Sequence, residues 1–299
     1  LVDEAVGHGT FVAGLVVSVA PDAAILPIRI LDSDGVGQAV DIARGIEIAV
    51  DRGAQIVNLS LGMEVESEVL QQVIEEESRQ RGIVFMASAG NRGSEERQYP
   101  AGQNEVMGVA ATDPGDAMAD FSNWGFWVSV SAPGVGLVSL LPAAAMGRWS
   151  GTSFAAALAS GEAAILIAFA PFARADEVRG AIEDSAEEVQ DARLNGAGRI
   201  DVEAAVRLLE ERLGLVQVET EIEILGLVAS VDLVARTIGL DDGTRVEIPH
   251  DRVIERNGDY LTLSAVAIAV GLGLPVRAEG IAVDEGDLRA TRIRFELDT

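Results

Sequence analysis

The chain has 299 residues, no cysteine and a formal net charge of −26 at pH 7. An acidic surface cannot displace the counterions of a phosphate backbone and is repelled by anionic lipid, so a nucleic-acid binder or a protein docked on such lipid is excluded. Zero cysteines and only two histidines also exclude disulfides, thiol nucleophiles and multi-histidine metal centres.

The first two thirds of the chain alternates short apolar runs with helical patterns. The apolar runs predict β-strands at residues 24–31, 55–61, 83–88, 106–111 and 127–131. Amphipathic helical patterns at residues 38–52 and 66–81 separate the first three of these apolar runs. Continuous apolar strands joined by amphipathic helices predict an α/β fold, with a parallel β-sheet covered by helices on both faces.

Three further helical patterns follow at residues 152–170, 175–189 and 201–213. The first is apolar nearly all round, so we expect it to be buried. It opens at a Gly-Thr-Ser sequence and stops before Pro171.

The pattern changes after residue 213. Residues 216–224 alternate in strand periodicity, short strands follow, and Asp241-Asp242-Gly243 predicts a hairpin turn. One apolar helical segment is expected near residues 264–270. The chain therefore divides into an α/β domain over residues 1–213 and a small all-β, barrel-like domain over residues 214–299.

His8 lies between two glycines at the start of an apolar helical pattern. Its ring would project from the first turn of that helix, and the flanking glycines leave space for another chain to approach. The alternative interpretation is a histidine that only caps the helix or completes a turn.

Ser153 lies in the Gly-Thr-Ser sequence that opens the buried helix. The backbone N–H of a serine there lies at the positive end of the helix dipole. A nucleophile at that point can attack a carbonyl group while its own amide receives the developing oxyanion. The alternative is a helix-capping serine followed by an alanine-rich packing helix.

Asn91 follows the apolar run 83–88. An asparagine at the carboxyl end of a strand can aim its side-chain N–H₂ into the active crevice of a parallel sheet. A turn asparagine before Arg92-Gly93 is the alternative.

Four motifs occur in a fixed order along residues 1–213. They are Gly7-His8-Gly9-Thr10-Phe11-Val12-Ala13-Gly14, Asn58-Leu59-Ser60-Leu61-Gly62, Ala87-Ser88-Ala89-Gly90-Asn91 and Gly151-Thr152-Ser153-Phe154-Ala155-Ala156. In sequence and order they resemble the subtilisin-like serine proteases, or subtilases. Less specifically, residues 225–232 and 274–280 resemble a small bacterial β-barrel domain of uncertain function, for which we expect a binding, docking or stabilising role.

The resemblance implies a serine endopeptidase that cleaves protein or peptide substrates through an acyl-enzyme. His8 would be the general base and then the general acid, Ser153 the nucleophile, and Asn91 an oxyanion-hole donor beside the Ser153 N–H. Extended substrate would bind between two edges, and a specificity pocket would adjoin them. The edges are Gly35, Val36, Gly37 and Ser60, Leu61, Gly62, and part of the pocket is formed by Ala87, Ser88, Ala89 and Gly90. Small residues around that pocket would admit a large apolar side chain.

The sequence departs from the subtilase pattern at the Asp of the catalytic triad Asp, His and Ser. Subtilases carry their residues in the order Asp, His, Ser, with the Asp at the end of a strand upstream of the His. Only seven residues precede His8, and Asp3 lies too close along the chain to substitute. We therefore expect an N-terminally truncated piece of a longer precursor, with the Asp strand and a pro-segment upstream and with little activity as given.

A catalytically silent subtilase fold used as a binding scaffold would explain the missing Asp, but a scaffold has no need to keep His8, Asn91 and Ser153 together. An α/β-hydrolase esterase fails because Ala155 replaces the last glycine of its Gly-x-Ser-x-Gly motif.

Cofactors and location follow from the same resemblance. The chemistry needs no cofactor, and structural calcium stays unassigned, although Asp32-Ser33-Asp34-Gly35 resembles part of a calcium loop. No run reaches the ~18–20 apolar residues of a membrane span. We expect a secreted or extracellular enzyme of bacterial type and an exposed turn at His250.

Overall fold

The computed structural model describes residues 6–189, 196–215 and 221–248, and then residues 254–256, 259–261, 266–267, 269–270, 272–273, 276–284 and 288–297. The chain separates into two compact units, Leu1–Leu215 and Val216–Thr299. Asp3, Glu4 and His250 lie outside the described residues.

A four-stranded parallel sheet forms the centre of the first unit. Its strands are β1 (Ile56–Leu59), β2 (Val84–Ser88), β3 (Val106–Thr112) and β4 (Val130–Pro133), hydrogen-bonded in that order. Because all four strands are parallel, their carboxyl ends meet at one edge of the sheet, where loops that carry chemistry can converge.

Six described helices surround this sheet. They are α1 (His8–Val19), α2 (Ala39–Asp51), α3 (Glu68–Arg81), α4 (Thr152–Phe169), α5 (Ala175–Asp184) and α6 (Val202–Arg212). Caps fix several of their ends: Ser67 Oγ accepts from Leu70 N–H at the start of α3, and Asp201 Oδ1 accepts from Ala204 N–H at the start of α6.

The sheet is buried on both faces. Val84 and Met86 of β2 pack in one apolar cluster with α4, α5 and α6, while Phe85 and Ala87 pack in a second cluster with α2 and α3. Successive side chains of a strand point to opposite faces, so the continuous apolar run of β2 fills both. The predicted α/β fold with helices on both faces is confirmed for this unit.

Residues 24–31 were expected to form a strand and do not. The segment has no regular secondary structure, and Ile28 and Ile30 pack toward Gly45 of α2, whose added Cβ would lie 3.2 and 2.7 Å from their Cγ2 atoms. Within the described part of the chain it has no hydrogen-bonded strand neighbour, and β1 ends the sheet. An apolar β-prone run needs a neighbouring strand to become part of a ladder.

Two other elements differ from expectation. The strand predicted at residues 127–131 forms as β4, Val130–Pro133, because Val128 N–H closes a turn on Gly125 O at 3.0 Å. An antiparallel hairpin, β5 (Leu137–Leu141) and β6 (Ala145–Trp149), was not predicted. Its strands are joined by a short 3₁₀ turn, Pro142–Ala144.

Helix α4 lies in the core of the first unit. Among the helices that the structure describes, it alone has the length and mean hydropathy of a membrane span, and 61% of that window is buried inside the protein. It packs against α1, the sheet, α5 and α6. Burial in this core accounts for its apolar composition.

The second unit is built from strands that pair mostly in the antiparallel direction. These are β7 (Glu221–Asp232), β8 (Thr237–Leu240), β9 (Arg245–Glu247), β10 (Ile254–Arg256), β11 (Asp259–Leu261), β12 (Val276–Asp284) and β13 (Leu288–Leu297). The strands β13, β12, β7, β8 and β9 follow one another, and β9 also pairs with β13 in parallel, so these five form a closed ring. The predicted hairpin turn at residues 241–243 joins β8 to β9, whereas the predicted helical segment near residues 264–270 is described only in part.

Candidate active site

His8 is the first residue of α1, directly after Gly7 in the left-handed region at φ 90°. A side chain there would be strained, and an added Cβ would lie 2.8 Å from Cδ of Pro142. The imidazole is half-buried, and its ring centroid lies 5.7 Å from that of Phe154. Burial lowers the pKa of His8 below its ordinary value of 6.5. A neutral imidazole at pH 7 has the protonation state that a general base requires.

An aromatic cluster continues from His8 into the protein. The Phe154 ring lies 4.6 Å from that of Phe11, which stacks on Trp149 at 4.9 Å. Phe11 and Phe154 are buried. Because the rings interlock, Phe154 is a fixed surface against which the His8 ring rests.

Ser153 is the second residue of α4 and is half-buried. The first N–H groups of a helix have no partner within the helix, and within the described residues no acceptor takes the Ser153 N–H. The positive end of the helix dipole therefore lies at a serine whose own amide is available to an anion.

Asn91 is held against the start of α4 by Thr152, the residue before Ser153. Its Oδ1 accepts from the Thr152 N–H and from the Thr152 hydroxyl, each at 2.9 Å. The Thr152 hydroxyl accepts in turn from Gly90 N–H at 3.0 Å. Since two donors occupy Oδ1, the Nδ2 group is the part of the exposed Asn91 side chain that stays available as a donor.

A second chain of hydrogen bonds reaches Ser153 from inside the protein. The Ser60 hydroxyl donates to Ser153 O at 2.7 Å, and Asn58 Nδ2 donates to the Ser60 hydroxyl at 2.9 Å. The buried Ser160 hydroxyl shares its proton between Asn58 Oδ1 at 2.9 Å and Ala156 O of the same helix at 2.8 Å. The carboxyl end of β1 is thus tied to the first and third turns of α4.

The predicted substrate-binding segments lie in two settings. Ser60–Gly62 follows β1, and residues 87–90 span the end of β2 and the two residues after it, where Ser88 Oγ lies 3.5 Å from Leu61 O. Residues 35–37 form an exposed turn in which Asp32 Oδ1 accepts from Asp34 N–H and Val36 N–H at 2.9 Å. Asp32 therefore stabilises this backbone turn.

The segments that contain His8, Asn91 and Ser153 converge at the carboxyl edge of the sheet. Both neighbours of Ser153 make the link: Phe154 contacts His8, and Thr152 binds Asn91. The sequence model of the "Subtilase family" matches residues 1–198. The chain belongs to the subtilase family.

Named relatives extend this finding to the activity. The subtilase is 34% identical over 210 residues to Subtilisin BL of Lederbergia lenta, covering 67% of this chain and 78% of that protein. It is 36% identical over 212 residues to Thermitase of Thermoactinomyces vulgaris, covering 67% and 75%. The prediction of a subtilisin-like serine endopeptidase is thereby confirmed at the level of the family.

Solved structures agree with the fold. The self-cleaved protease domain of PatA is 32% identical, with a TM-score of 0.64, and the match covers 68% of the subtilase and 83% of that chain. A lanthipeptide protease at 22% identity has a TM-score of 0.63 and supports the fold alone.

No metal site is found where the structure describes the subtilase. In the described ranges, no three His, Asp or Glu side chains lie close enough together to hold an ion.

Three residues of this region were not singled out from the sequence. Thr152 had a visible signal, since it lies between two motif residues, whereas the Gln98 side chain is brought beside Gly62 and Gly90 only by the fold. Glu162 is the one charged residue of α4, and its carboxyl group is buried without a hydrogen-bond partner among the described residues. Desolvation, with a smaller contribution from Asp201, raises the pKa of Glu162 to about 8.

Proposed function

We propose that this subtilase hydrolyses peptide bonds with Ser153 as nucleophile and His8 as general base. The observation that carries the proposal is that both chain neighbours of Ser153 make contacts at the site: one contacts His8 and the other binds Asn91. Ser153 Oγ attacks the carbonyl carbon of the substrate while His8 takes the hydroxyl proton.

The oxyanion formed by this attack accepts hydrogen bonds from Asn91 Nδ2 and from the Ser153 backbone N–H. Both donors are oriented before substrate arrives, because Thr152 fixes the Asn91 amide and the helix fixes the backbone. His8 then gives its proton to the leaving amine, and the acyl-enzyme forms. Water activated by His8 hydrolyses the ester and restores Ser153.

We propose that the carboxylate that orients His8 comes from an Asp on an additional strand upstream of the printed sequence. The support is the free edge of β1, together with the unpaired segment 24–31, within the described part of the chain. Unpaired ladder groups at a sheet edge favour the addition of a strand. The upstream coding sequence tests this: an apolar strand that ends in Asp supports it, and a reading frame that starts near Leu1 contradicts it.

The substrate is a protein or peptide in extended conformation. Residues 35–37 and 60–62 supply the backbone edges to which it would add as a β-strand. We further propose that the enzyme acts outside the cytoplasm, which suits its acidic surface and lack of cysteine. An antibody against the protein should detect it in the culture medium rather than in the cell lysate.

Labelling with a fluorophosphonate tests the nucleophile in the full-length protein. We expect mass spectrometry to find the adduct on Ser153 and no adduct in Ser153→Ala. The matched control is Ser150→Ala, which removes an exposed serine that accepts from Gly136 N–H and should leave labelling intact. A folded protein that is never labelled would support the silent scaffold instead.

A further inference from the structure

A cleft of about 760 Å³ lies at the amino edge of the parallel sheet. Gln55, Ile83 and Glu105, which directly precede β1, β2 and β3, form part of its lining. The proposed reaction centre lies at the carboxyl edge of the same strands, so the cleft belongs to a different part of the molecule. Its volume falls within the range of pockets that bind small molecules, about 300–1,000 Å³.

Four arginines line this cleft from two helices. Arg79 and Arg81 belong to the last turn of α3, while Arg174 directly precedes α5 and Arg179 lies in its second turn. Two acidic residues also line the cleft, so its positive charges exceed the negative ones by two. The whole chain has a net charge of −26, so a positive lining is a local exception in this protein.

Three of the four arginines form ion pairs, and their side chains are at least half exposed. The pairs are Arg79 with Glu105 and Glu75, Arg81 with Asp51 and Glu77, and Arg174 with Asp176. A guanidinium group has five N–H donors, of which such pairs use only a part. Exposed ion pairs also contribute little to the stability of a fold, so these groups can bind a further anion without disrupting the helices.

Arg179 has no carboxylate partner among the residues that the structure describes. Its Nη2 donates to Asn104 O at 2.8 Å, and its Nε is buried without an acceptor there. Asn104 directly precedes Glu105, the partner of Arg79, so guanidinium groups from α5 and α3 are anchored on adjacent residues before β3. The charge of Arg179 is thus uncompensated in a chain with 48 acidic and 22 basic residues.

The first turn of α5 adds backbone donors to the same cleft. Ala175 and Asp176 belong to the lining, and their N–H groups have no acceptor in the described part of the chain. The positive end of a helix dipole favours a bound anion. This contribution acts in the same direction as the charge of Arg179.

We propose that the cleft binds a small molecule that carries two or more oxyanion groups, either carboxylate or phosphate. The planar guanidinium group binds both kinds of anion through paired N–H donors. Because the arginines come from two helices, a ligand with several anionic groups can engage both, whereas a single carboxylate cannot. The site does not include Ser153 or His8, so binding does not depend on the proposed protease function.

Calorimetric titration of the full-length protein at pH 7 tests this site. The probes are citrate and pyrophosphate, with acetate as the control that has a single charge, all at one ionic strength. We expect at least one of the two probes to bind one-to-one with a Kd of about 1 mM or below, and acetate to bind about tenfold more weakly or worse. Whichever probe binds more tightly shows whether the site prefers carboxylate or phosphate groups.

Variants of the arginines locate the site. Arg179→Gln removes the uncompensated charge and should raise the Kd of the tighter probe about tenfold or more, since a charge-assisted hydrogen bond is lost. Arg174→Gln, at a side chain that is 73% exposed, should raise it several-fold and decides the question if Arg179→Gln does not fold. The matched control is Arg44→Gln, at an exposed position of α2 outside the lining, which should leave the Kd unchanged.

Several outcomes would overturn the inference. They are no binding of citrate or pyrophosphate to the wild-type protein, acetate binding that is equally tight, and equal loss of affinity in Arg44→Gln. An unaltered Kd in folded Arg179→Gln, or in Arg174→Gln where the first variant does not fold, has the same consequence. Ser153→Ala should bind the probe with wild-type affinity, so this result stands apart from the outcome of the fluorophosphonate experiment.

Discussion

The Ser60 hydroxyl donates a hydrogen bond of 2.7 Å to the backbone oxygen of Ser153, 93 residues later in the chain. Asn58 Nδ2 supports this hydroxyl, and Ser160 supports Asn58 from the third turn of the same helix that presents Ser153. Ser153, the proposed nucleophile, is therefore positioned by the end of β1 as well as by α4.

Ser160→Ala removes the inner end of this chain without touching substrate. Loss of one hydrogen bond costs about 0.5–1.5 kcal/mol, so we expect kcat to fall about two- to tenfold with KM unchanged. Steady-state kinetics measures this, and Ser160→Thr should restore the rate by restoring the hydroxyl. Ser185→Ala is the control, because the Ser185 hydroxyl is buried without a partner in the described residues. An unaltered kcat in Ser160→Ala would show that the chain does not position Ser153.

Asn91→Asp keeps an oxygen for the two Thr152 donors and loses the Nδ2 donor. Removing one oxyanion-hole donor lowers kcat by about 10²–10³-fold, and we expect at least this loss with little change in KM. Asn104→Asp, at an exposed asparagine away from the site, should keep full activity. A kcat within a few-fold of wild type in Asn91→Asp would remove Asn91 from the proposed oxyanion hole.

The contact between His8 and Phe154 should lower the pKa of His8, which a pH titration can measure. Burial holds the pKa of His8 below 6.5, and Phe154→Ala admits water, so the pKa of His8 should rise toward its ordinary value. An NMR pH titration measures the shift, with His8→Gln assigning the signal in a chain that has two histidines. Phe126→Ala, at a ring that is 85% exposed, should leave the titration unchanged. A pKa of His8 that Phe154→Ala does not raise would refute this role of the ring.

Glu162 makes the stability of the fold depend on pH. Burial raises its pKa to about 8 from 4.5, so the folded protein keeps a proton that the unfolded chain has lost between these values. The free energy of unfolding should therefore decrease as pH rises through this window, by about 1.4 kcal/mol per pH unit from this group. Below pH 4.5 both states are protonated, and above pH 8 both are ionised, so the contribution is constant there.

Urea unfolding from pH 5 to pH 8 measures this slope. Glu162→Gln cannot ionise and should lose this contribution to the pH dependence, whereas Glu188→Gln, at an exposed position, should keep it. Asp201 faces Glu162 from the start of α6, and its charge adds a smaller contribution of the same sign. If the free energy of unfolding depends on pH in the same way in wild type and in Glu162→Gln, the argument is contradicted.

The sequence identified the family, and it proposed His8, Asn91 and Ser153 as reactive residues, because each lies in a short motif with a fixed place on an element. His8 and Ser153 open helices, and Asn91 follows a strand, so local patterns were sufficient to locate them. Gln98 was not predictable, since its position between Gly62 and Gly90 depends on the pairing of Tyr99 with Met63. A contact between distant loops leaves no periodic signal in the chain.

The errors in the strand predictions have a common cause. Residues 24–31 have the composition of a strand, but composition does not supply the hydrogen-bonding neighbour that a strand needs. The hairpin of β5 and β6 was missed for the opposite reason, because Pro142 and small residues interrupt its pattern. Pairing is a property of the fold and had to be read from the structure.

Glu162 lies on the helix that presents Ser153 in its first turn. When an alkaline medium ionises Glu162, α4 holds a buried charge that has no hydrogen-bond partner among the described residues, and the fold loses stability. The enzyme should therefore lose activity at alkaline pH because it unfolds, even though every group at the proposed reaction centre still has the protonation state that it needs. Replacing this one carboxyl group should extend the pH range in which the enzyme is active, without any change to the proposed catalytic residues.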